Sequence, residues 1–462
     1  MQLTLAVTIG IYLILIFALA LMVRRRVKTE EDYLVAGRRL PLSLATATLL
    51  ATWFGAGTLL TATDEIRAEG LRVTALEPYG AGLCLILAGL FFARPLWEMK
   101  LCTVSDLYRN KFGTRAETLS VFITVPGYIG WIAVQLVALA GIAQLFFEIP
   151  PSVSIPMIAL ITTLYTLIGG MWSVTITDAV QMALVIPGLF VLGHAVLAGS
   201  GDGDLVEGFR QIRQSVDPED LVLIPRDTMR ELVGWVSVLA VSALGNLPGQ
   251  DLFQRVFASK SARVARNACL ISGALYIVLG TIPALLGVAA NVILPQETLE
   301  SVLLVLAVRF LSPTMTVILT ISLVSVILST IDSAILAPAA TLARNGLRRY
   351  VPDRISSLTL SRFSVVLIGV SSTVVALWGE NAYGLLEESY ALGLVGLFVP
   401  FFVGVFLRAL NEGSAMLAMG TGMLIWTIQF FVETDLPIDL IAVLVGFAVY
   451  FTHVSGRARS AR

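Results

Sequence analysis

The apolar positions of this chain do not alternate and do not collect on one helical face. They run on unbroken for about 20 residues at a time, the length that crosses the hydrocarbon core of a bilayer as a helix. Cutting at charged or Pro/Gly-bearing segments gives roughly thirteen such stretches: residues 3–23, 41–63, 73–95, 118–147, 152–170, 173–199, 230–248, 267–293, 313–343, 359–379, 383–407, 413–432 and 436–453. The pattern predicts an all-α polytopic membrane protein, and the odd number puts the termini on opposite sides. Composition agrees: of 462 residues, 57% are hydrophobic and 14% charged, with a mean hydropathy of +0.86.

Polar groups inside these stretches are the informative ones, because hydrocarbon offers no water to satisfy them. Residues 313–343 carry Ser322, Ser325, Ser329 and Ser333 at helical spacing on one face, with Thr330 and Asp332 among them. Hydroxyl oxygens beside freed backbone carbonyls suit a small, hard, monovalent cation, which prefers oxygen ligands. This segment is read as a sodium-binding helix. Taken singly, Ser329 or Thr330 would more often bond back to a carbonyl one turn earlier.

Two other stretches are interrupted, the second by Gly55-Ala56-Gly57 and the seventh by Gly245-Asn246-Leu247-Pro248-Gly249. They lie five helices apart. Paired Gly/Pro breaks in two halves point to an inverted-repeat transporter with its site at the breaks, near the midplane. The repeats would be 41–199 and 230–407, within a single transporter domain. An extra helix and loop (1–40) precede them, an outer loop (200–229) separates them, and two helices with a short tail (408–462) follow. Unwinding at the first break frees carbonyls near Ala51 and Phe54, which complete an ion shell with the Val326 carbonyl and the Ser329 and Thr330 hydroxyls.

Charge sets the orientation. With the N-terminus outside, 24 of the 31 basic residues fall on loops placed inside, among them Arg24, Arg25, Arg26, Lys28 and the run from Arg255 to Arg266, in accord with the positive-inside rule. The C-terminus is then cytoplasmic. The net charge of −1 is a balance between two faces and gives no support to nucleic-acid partners. Cys84, Cys102 and Cys269 have no paired spacing, so no disulfide framework or zinc site is expected. The first stretch runs straight into arginines and reads as a retained helix. The absence of any Asn-x-Ser/Thr sequon fits a bacterial inner membrane.

Several runs resemble the sodium/solute symporter family of the LeuT-type fold: Asp32-Tyr33-Leu34-Val35-Ala36-Gly37-Arg38, and Gly169-Gly170-Met171-Trp172-Ser173-Val174-Thr175-Ile176-Thr177-Asp178-Ala179-Val180-Gln181. The resemblance implies inverted five-helix repeats and a sodium shell built from the carbonyls matching Ala51 and Phe54 and the hydroxyls matching Ser329 and Thr330, with the carboxylate matching Asp178 in support. Ala51 to Gly57, Gly89 to Pro95, Gln254-Arg255-Val256 and Ser333 to Leu336 are similar to the high-affinity choline transporter branch. That likeness implies aromatic cage positions at Trp53 and Trp131. A quaternary ammonium is held by aromatic faces, each desolvated contact contributing on the order of 2 kcal/mol. Two cage positions depart from the branch, with Gly249 and Ala81 where it carries aromatics; Tyr128, Trp235 and Tyr390 are available to fill the space.

Gly55, Gly57, Asn246, Gly249 and Gln250 join Trp53 and Trp131 as substrate-side positions, since they border the breaks. Asp332 is assigned to gating, the competing reading being a solvated helix end or an ion pair with a loop arginine. Glu387 and Glu388 fall near an outer vestibule. The expected activity is sodium-coupled symport of a small organic solute by alternating access, choline- or betaine-like, with Na+ as coupling ion. An amino acid such as proline, or a short carboxylate, is the alternative solute, and a sodium-dependent sensor or channel the reading from another class. Only His194 and His453 are histidines and no catalytic cluster falls in a span, so the chain is not expected to be an enzyme. Oligomeric state is not legible.

Overall fold

The computed structural model describes residues 2–23, 29–294, 301–379, 382–408, 410–432 and 436–460. Arg24, Arg25, Arg26 and Lys28, which entered the orientation argument, lie outside the described residues. In chain order the principal helices are α1 (Gln2–Val23), α2 (Leu42–Trp53), α3 (Gly57–Glu69), α4 (Leu71–Glu98), α5 (Thr114–Phe147), α6 (Pro151–Leu167), α7 (Gly170–Ser200) and α8 (Leu205–Ser215). They continue with α9 (Met229–Gly245), α10 (Gln250–Ala258), α11 (Ala262–Ile293), α12 (Val302–Phe310), α13 (Pro313–Thr341), α14 (Ser357–Trp378), α15 (Ala382–Phe406), α16 (Glu412–Ile428) and α17 (Ile438–Ser460). No strand occurs among the described residues; Leu40 and Ser259 form an isolated bridge.

Among the described residues nine helices are long and apolar enough to cross a membrane, or up to eleven when each bent pair counts as one span. Of the thirteen expected stretches, 152–170 and 413–432 fall on the shorter α6 and α16. Polar content sorts the helices radially. The apolar window of α1 is only 6% buried, as suits a helix with few polar groups, whereas that of α13, which carries the serine stripe, is 78% buried. Large side chains such as Phe122 and Trp378 remain exposed on the periphery, the surface a polytopic protein turns to lipid.

Both glycine interruptions break their helices. The α2/α3 pair bends by 53° and the α9/α10 pair by 41°. At the first break Phe54 leaves helical geometry (φ −81°, ψ 56°). At the second, Pro248 supplies no N–H, and Gly249 (φ −63°, ψ 128°) starts the new half-helix. The seventh expected stretch stopped at Pro248; the chain instead resumes helix to Ala258. Arg255, counted with the inside loop, is therefore a buried span residue, 1% exposed. The break packs tightly on α15, where a side chain at Gly245 would strike Tyr390 and Leu394 and one at Gly393 would strike Gly245.

Polar contacts tie the connecting segments to one another and to the helix ends beside them. Arg38 donates to the carbonyls of Lys100 and Leu101 at 3.0 and 2.8 Å, and Leu40 pairs with Ala258 and Lys260. Asn345 donates to Asp106 and Glu117 at 2.9 and 2.8 Å, while Arg344 reaches Asp106 at 3.3 Å. These segments carry most of the basic residues assigned above to the inside.

The kink between α6 and α7 falls on Gly170. Gly170 has φ +56° and ψ −165°, a region open in practice only to glycine. A Cβ there would also strike the Tyr33 ring and lie 2.9 Å from its carbonyl oxygen. Gly170→Ala should therefore destabilise the protein by about 1–3 kcal/mol, read as a lowered thermal transition in detergent, while Gly10→Ala, in open space, leaves it unchanged.

Candidate functional site

The serine stripe of α13 resolves into four separate attachments. Ser322 bonds back to the Ile318 carbonyl at 2.7 Å, the ordinary fate of a membrane serine. Ser325 donates to Tyr12 at 2.7 Å, Ser329 to Oδ1 of Asp178, and Ser333 accepts from Arg255 at 2.5 Å. Asp178, wholly buried on α7, also accepts from Thr48 of α2 and lies 4.0 Å from the Arg255 guanidinium. Arg255 further donates to the carbonyls of Thr48 (3.2 Å) and Asp251 (2.9 Å). Helices α2, α7, α10 and α13 are thus joined by one buried network, in which the guanidinium's rigid fork reaches three acceptors at once.

Beside it, oxygens gather at the first break. Thr330 Oγ1 donates to the Val326 carbonyl at 3.0 Å and stands 3.2 Å from the Ala51 carbonyl. Groups freed by the break are met by side chains from other helices: Gln135 of α5 accepts from the Ala56 N–H at 2.8 Å, and the Tyr276 hydroxyl of α11 stands 3.0 Å from the Trp53 carbonyl, its one proton shared between that carbonyl and Glu77. Gly55 admits this approach, since a Cβ would lie 2.6 Å from Thr330 Oγ1 and 3.0 Å from Gln135. The arrangement is a cluster of neutral oxygens with one carboxylate a residue away through Ser329, chemistry suited to a hard monovalent ion.

A cleft with a cavity volume of about 50 Å³ lies between the two breaks. Trp53, Tyr128 and Trp131 form an aromatic wall; the last two meet edge to face with centroids 5.8 Å apart. Asn246, Pro248 and Gly249 come from the second break, and Ser389, Tyr390 and Gly393 from α15. Asp251, 5% exposed, also lines the cleft, and its carboxylate accepts from Trp53 Nε1 at 2.8 Å and from the Tyr128 hydroxyl. Behind Tyr390 lies Glu77, held by Thr58 (3.0 Å), Tyr276 (2.6 Å) and Tyr390 itself (2.9 Å).

The expected residues divide accordingly. Ala51, Val326 and Thr330 come together, with Phe54 at the break beside them and Ser329 bridging to Asp178. Trp53, Trp131, Asn246 and Gly249 line the cleft. Gln250 does not: its amide accepts from Val104 N–H at 2.7 Å and donates to the Cys102 carbonyl at 3.4 Å, so it ties α10 to the segment between α4 and α5. Gly55 and Gly57 serve close packing, the latter against Leu386. Asp332 is buried and accepts from Thr166 at 2.9 Å, beside a small cavity lined by Tyr12, Tyr165 and Gln181; no ion pair with a loop arginine is found among the described residues. Tyr128 and Tyr390 reach the cleft, whereas Trp235 and Ala81 are not among its lining residues. Glu77 and Asp251 went unnoticed in the sequence, though Asp251 stands two residues past the second break.

Two bent helices crossing an all-helical bundle, with a cleft between their breaks, define a secondary transporter of the LeuT type. The chain belongs to the sodium:solute symporter family, whose sequence profile matches residues 33–422. It is 28% identical to the human high affinity choline transporter 1 over 85% of this chain and 70% of that protein. It is 23% identical to the sodium/glucose cotransporter of Vibrio parahaemolyticus, over 89% and 82%. Its fold is similar to that of a Na+-coupled sialic acid symporter solved in a substrate-bound, outward-open state, with a TM-score of 0.82 and 18% identity over 98% of this chain and 97% of that one. The protein is thus a multi-pass membrane transporter that couples a small-molecule solute to sodium, and not an enzyme.

The buried network sets a stability test. Arg255→Met leaves Asp178 without its counter-charge and should cost about 3–5 kcal/mol, seen as a lowered thermal transition in detergent. Adding Asp178→Asn removes the stranded charge and should recover part of that loss, a coupling read directly from the double-mutant cycle.

Proposed function

We propose that this symporter imports a small ammonium-bearing solute, choline- or betaine-like, with sodium held at the first helix break. The observation that carries the reading is the aromatic wall of Trp53, Tyr128 and Trp131 at the junction of the two breaks. Aromatic faces attract an ammonium head that has shed its water. The naming of several relatives as choline transporters supports the same class. A short carboxylate is less well served, because no Lys or Arg lines the cleft.

In this proposal the sodium shell is the Ala51, Phe54 and Val326 carbonyls with the Ser329 and Thr330 hydroxyls. A hydroxyl that donates its proton keeps lone pairs for a cation, so the bonds of Ser329 to Asp178 and of Thr330 to Val326 are compatible with ion binding. Asp178 contributes long-range negative charge, and Asp332 guards the path beyond it. Residues 41–199 and 230–407 act as the two inverted repeats whose rocking alternates access. The basic loops face the cytoplasm of a bacterial inner membrane and the N-terminus faces out, supported by the 23 of 31 basic residues that remain on that side once Arg255 is placed in a span.

Uptake into liposomes, with and without a sodium gradient, tests this against choline, betaines, proline, short carboxylates and sugars. Sodium flux without any solute would favour a channel. Ser329→Ala/Thr330→Ala should raise the sodium half-saturation concentration at least about tenfold, equivalent to 1.4 kcal/mol, with expression retained; unchanged sodium dependence would exclude these ligands. Trp53→Ala should weaken an ammonium solute by about 2 kcal/mol, roughly thirtyfold, and Trp53→Phe by much less.

A further inference from the structure

We infer that Asp251 is the group that selects the solute by charge, and that the solute is a monocation with no carboxylate of its own. This rests on the ammonium reading above and narrows it. The carboxylate lies in the cleft wall at 5% exposure, and each oxygen accepts one hydrogen bond, Oδ2 from Trp53 and Oδ1 from Tyr128. An ionised carboxylate has about four acceptor positions, so acceptor capacity remains on both oxygens.

No ion pair cancels its charge directly, and the attraction of the buried Arg255 is shared with Asp178. Arg255, one turn further along α10, spends its guanidinium on the Asp251 backbone carbonyl, on Thr48 and on Ser333, and lies 4.0 Å from Asp178. None of the ion pairs among the described residues involves Asp251. A buried charge with no opposite partner is unfavourable, and a cationic solute entering the cleft would supply that partner. The same carboxylate holds the Trp53 indole and the Tyr128 ring in place, so the aromatic wall and the negative charge act on the same ammonium group.

The surroundings oppose a zwitterion. The cleft lining contains no basic side chain. The positive end of the α10 half-helix, where a solute carboxylate would otherwise dock, carries Asp251 in its first turn, and the Asp251 N–H already donates to the Tyr128 hydroxyl at 2.8 Å. A betaine or amino acid would bring a second negative charge against Asp251 with nothing to receive it.

The test is binding of choline, glycine betaine and proline to the purified full chain in sodium buffer, compared between wild type and Asp251→Asn. The asparagine keeps an acceptor for the Trp53 indole and removes the charge. Wild type should bind choline at least about fiftyfold more tightly than either zwitterion, and Asp251→Asn should shrink that ratio by about tenfold or more, mainly by weakening choline. A ratio unchanged in Asp251→Asn overturns the assignment and leaves the ammonium reading standing. Wild type binding glycine betaine as tightly as choline overturns it without any variant, and so guards against a variant that fails to fold. Wild type binding none of the ammonium compounds defeats the ammonium reading itself, and this inference with it.

Discussion

A helix interrupted in the middle of a bilayer must have its freed backbone groups satisfied by protein, because no water is there to do it. The rest of this structure is arranged around that requirement at Trp53 to Ala56. The Trp53 carbonyl shares the Tyr276 hydroxyl with Glu77, the Ala56 N–H takes Gln135, and the Ala51 carbonyl lies beside Thr330. Three helices, α5, α11 and α13, each send one polar side chain to the same break. Gly55 is what lets two of them arrive, since a side chain there would collide with both Thr330 and Gln135.

The same few residues face both the oxygen cluster and the cleft. Ala51 presents its carbonyl to Thr330, while Trp53, two residues on, turns its indole to the Asp251 carboxylate in the cleft wall. An ion that drew the Ala51 carbonyl inward would stiffen the segment that holds Trp53. In the proposed mechanism that is how ion and solute favour one another, each stabilising the geometry the other needs. In this proposal coupling needs no relay across the protein, because the two proposed sites are neighbours on one broken helix.

Much of this was legible in the sequence. The Gly-Ala-Gly and Gly-Asn-Leu-Pro-Gly interruptions announced themselves because such breaks have no packing reason to recur five helices apart, and both bend their helices as expected. The serine spacing on 313–343 correctly marked the buried face of α13, although Ser322 turned out to bond only to its own helix. What stayed hidden were partners whose roles depend on distant residues. Arg255 looked like the first residue of a basic loop because Pro248 seemed to end the seventh stretch. Asp251 was overlooked for the same reason. Glu77, inside the expected third stretch, shows its function only once Tyr276 and Tyr390, 199 and 313 residues away in sequence, are seen to hold it. Apolar periodicity places a residue in the membrane but cannot say which far-off hydroxyl will meet it.

Asp178 and Asp251, two buried carboxylates near the breaks, are treated in opposite ways, and the contrast accounts for the proposed division of labour. Asp178 has Arg255 at 4.0 Å together with the Ser329 and Thr48 hydroxyls, so its charge is largely balanced and its oxygens already occupied. Asp251 has only neutral donors and an open side toward the cleft. In the proposed site a balanced carboxylate would modulate an ion bound mainly by carbonyls and hydroxyls without trapping it, since the ion of a transporter must leave again. An unbalanced carboxylate gains most from a whole positive charge arriving in the cleft, and a solute that brings its own anion forfeits that gain. Placing Arg255 between them, with its guanidinium toward Asp178 and only a backbone bond to Asp251, is what keeps the two environments distinct.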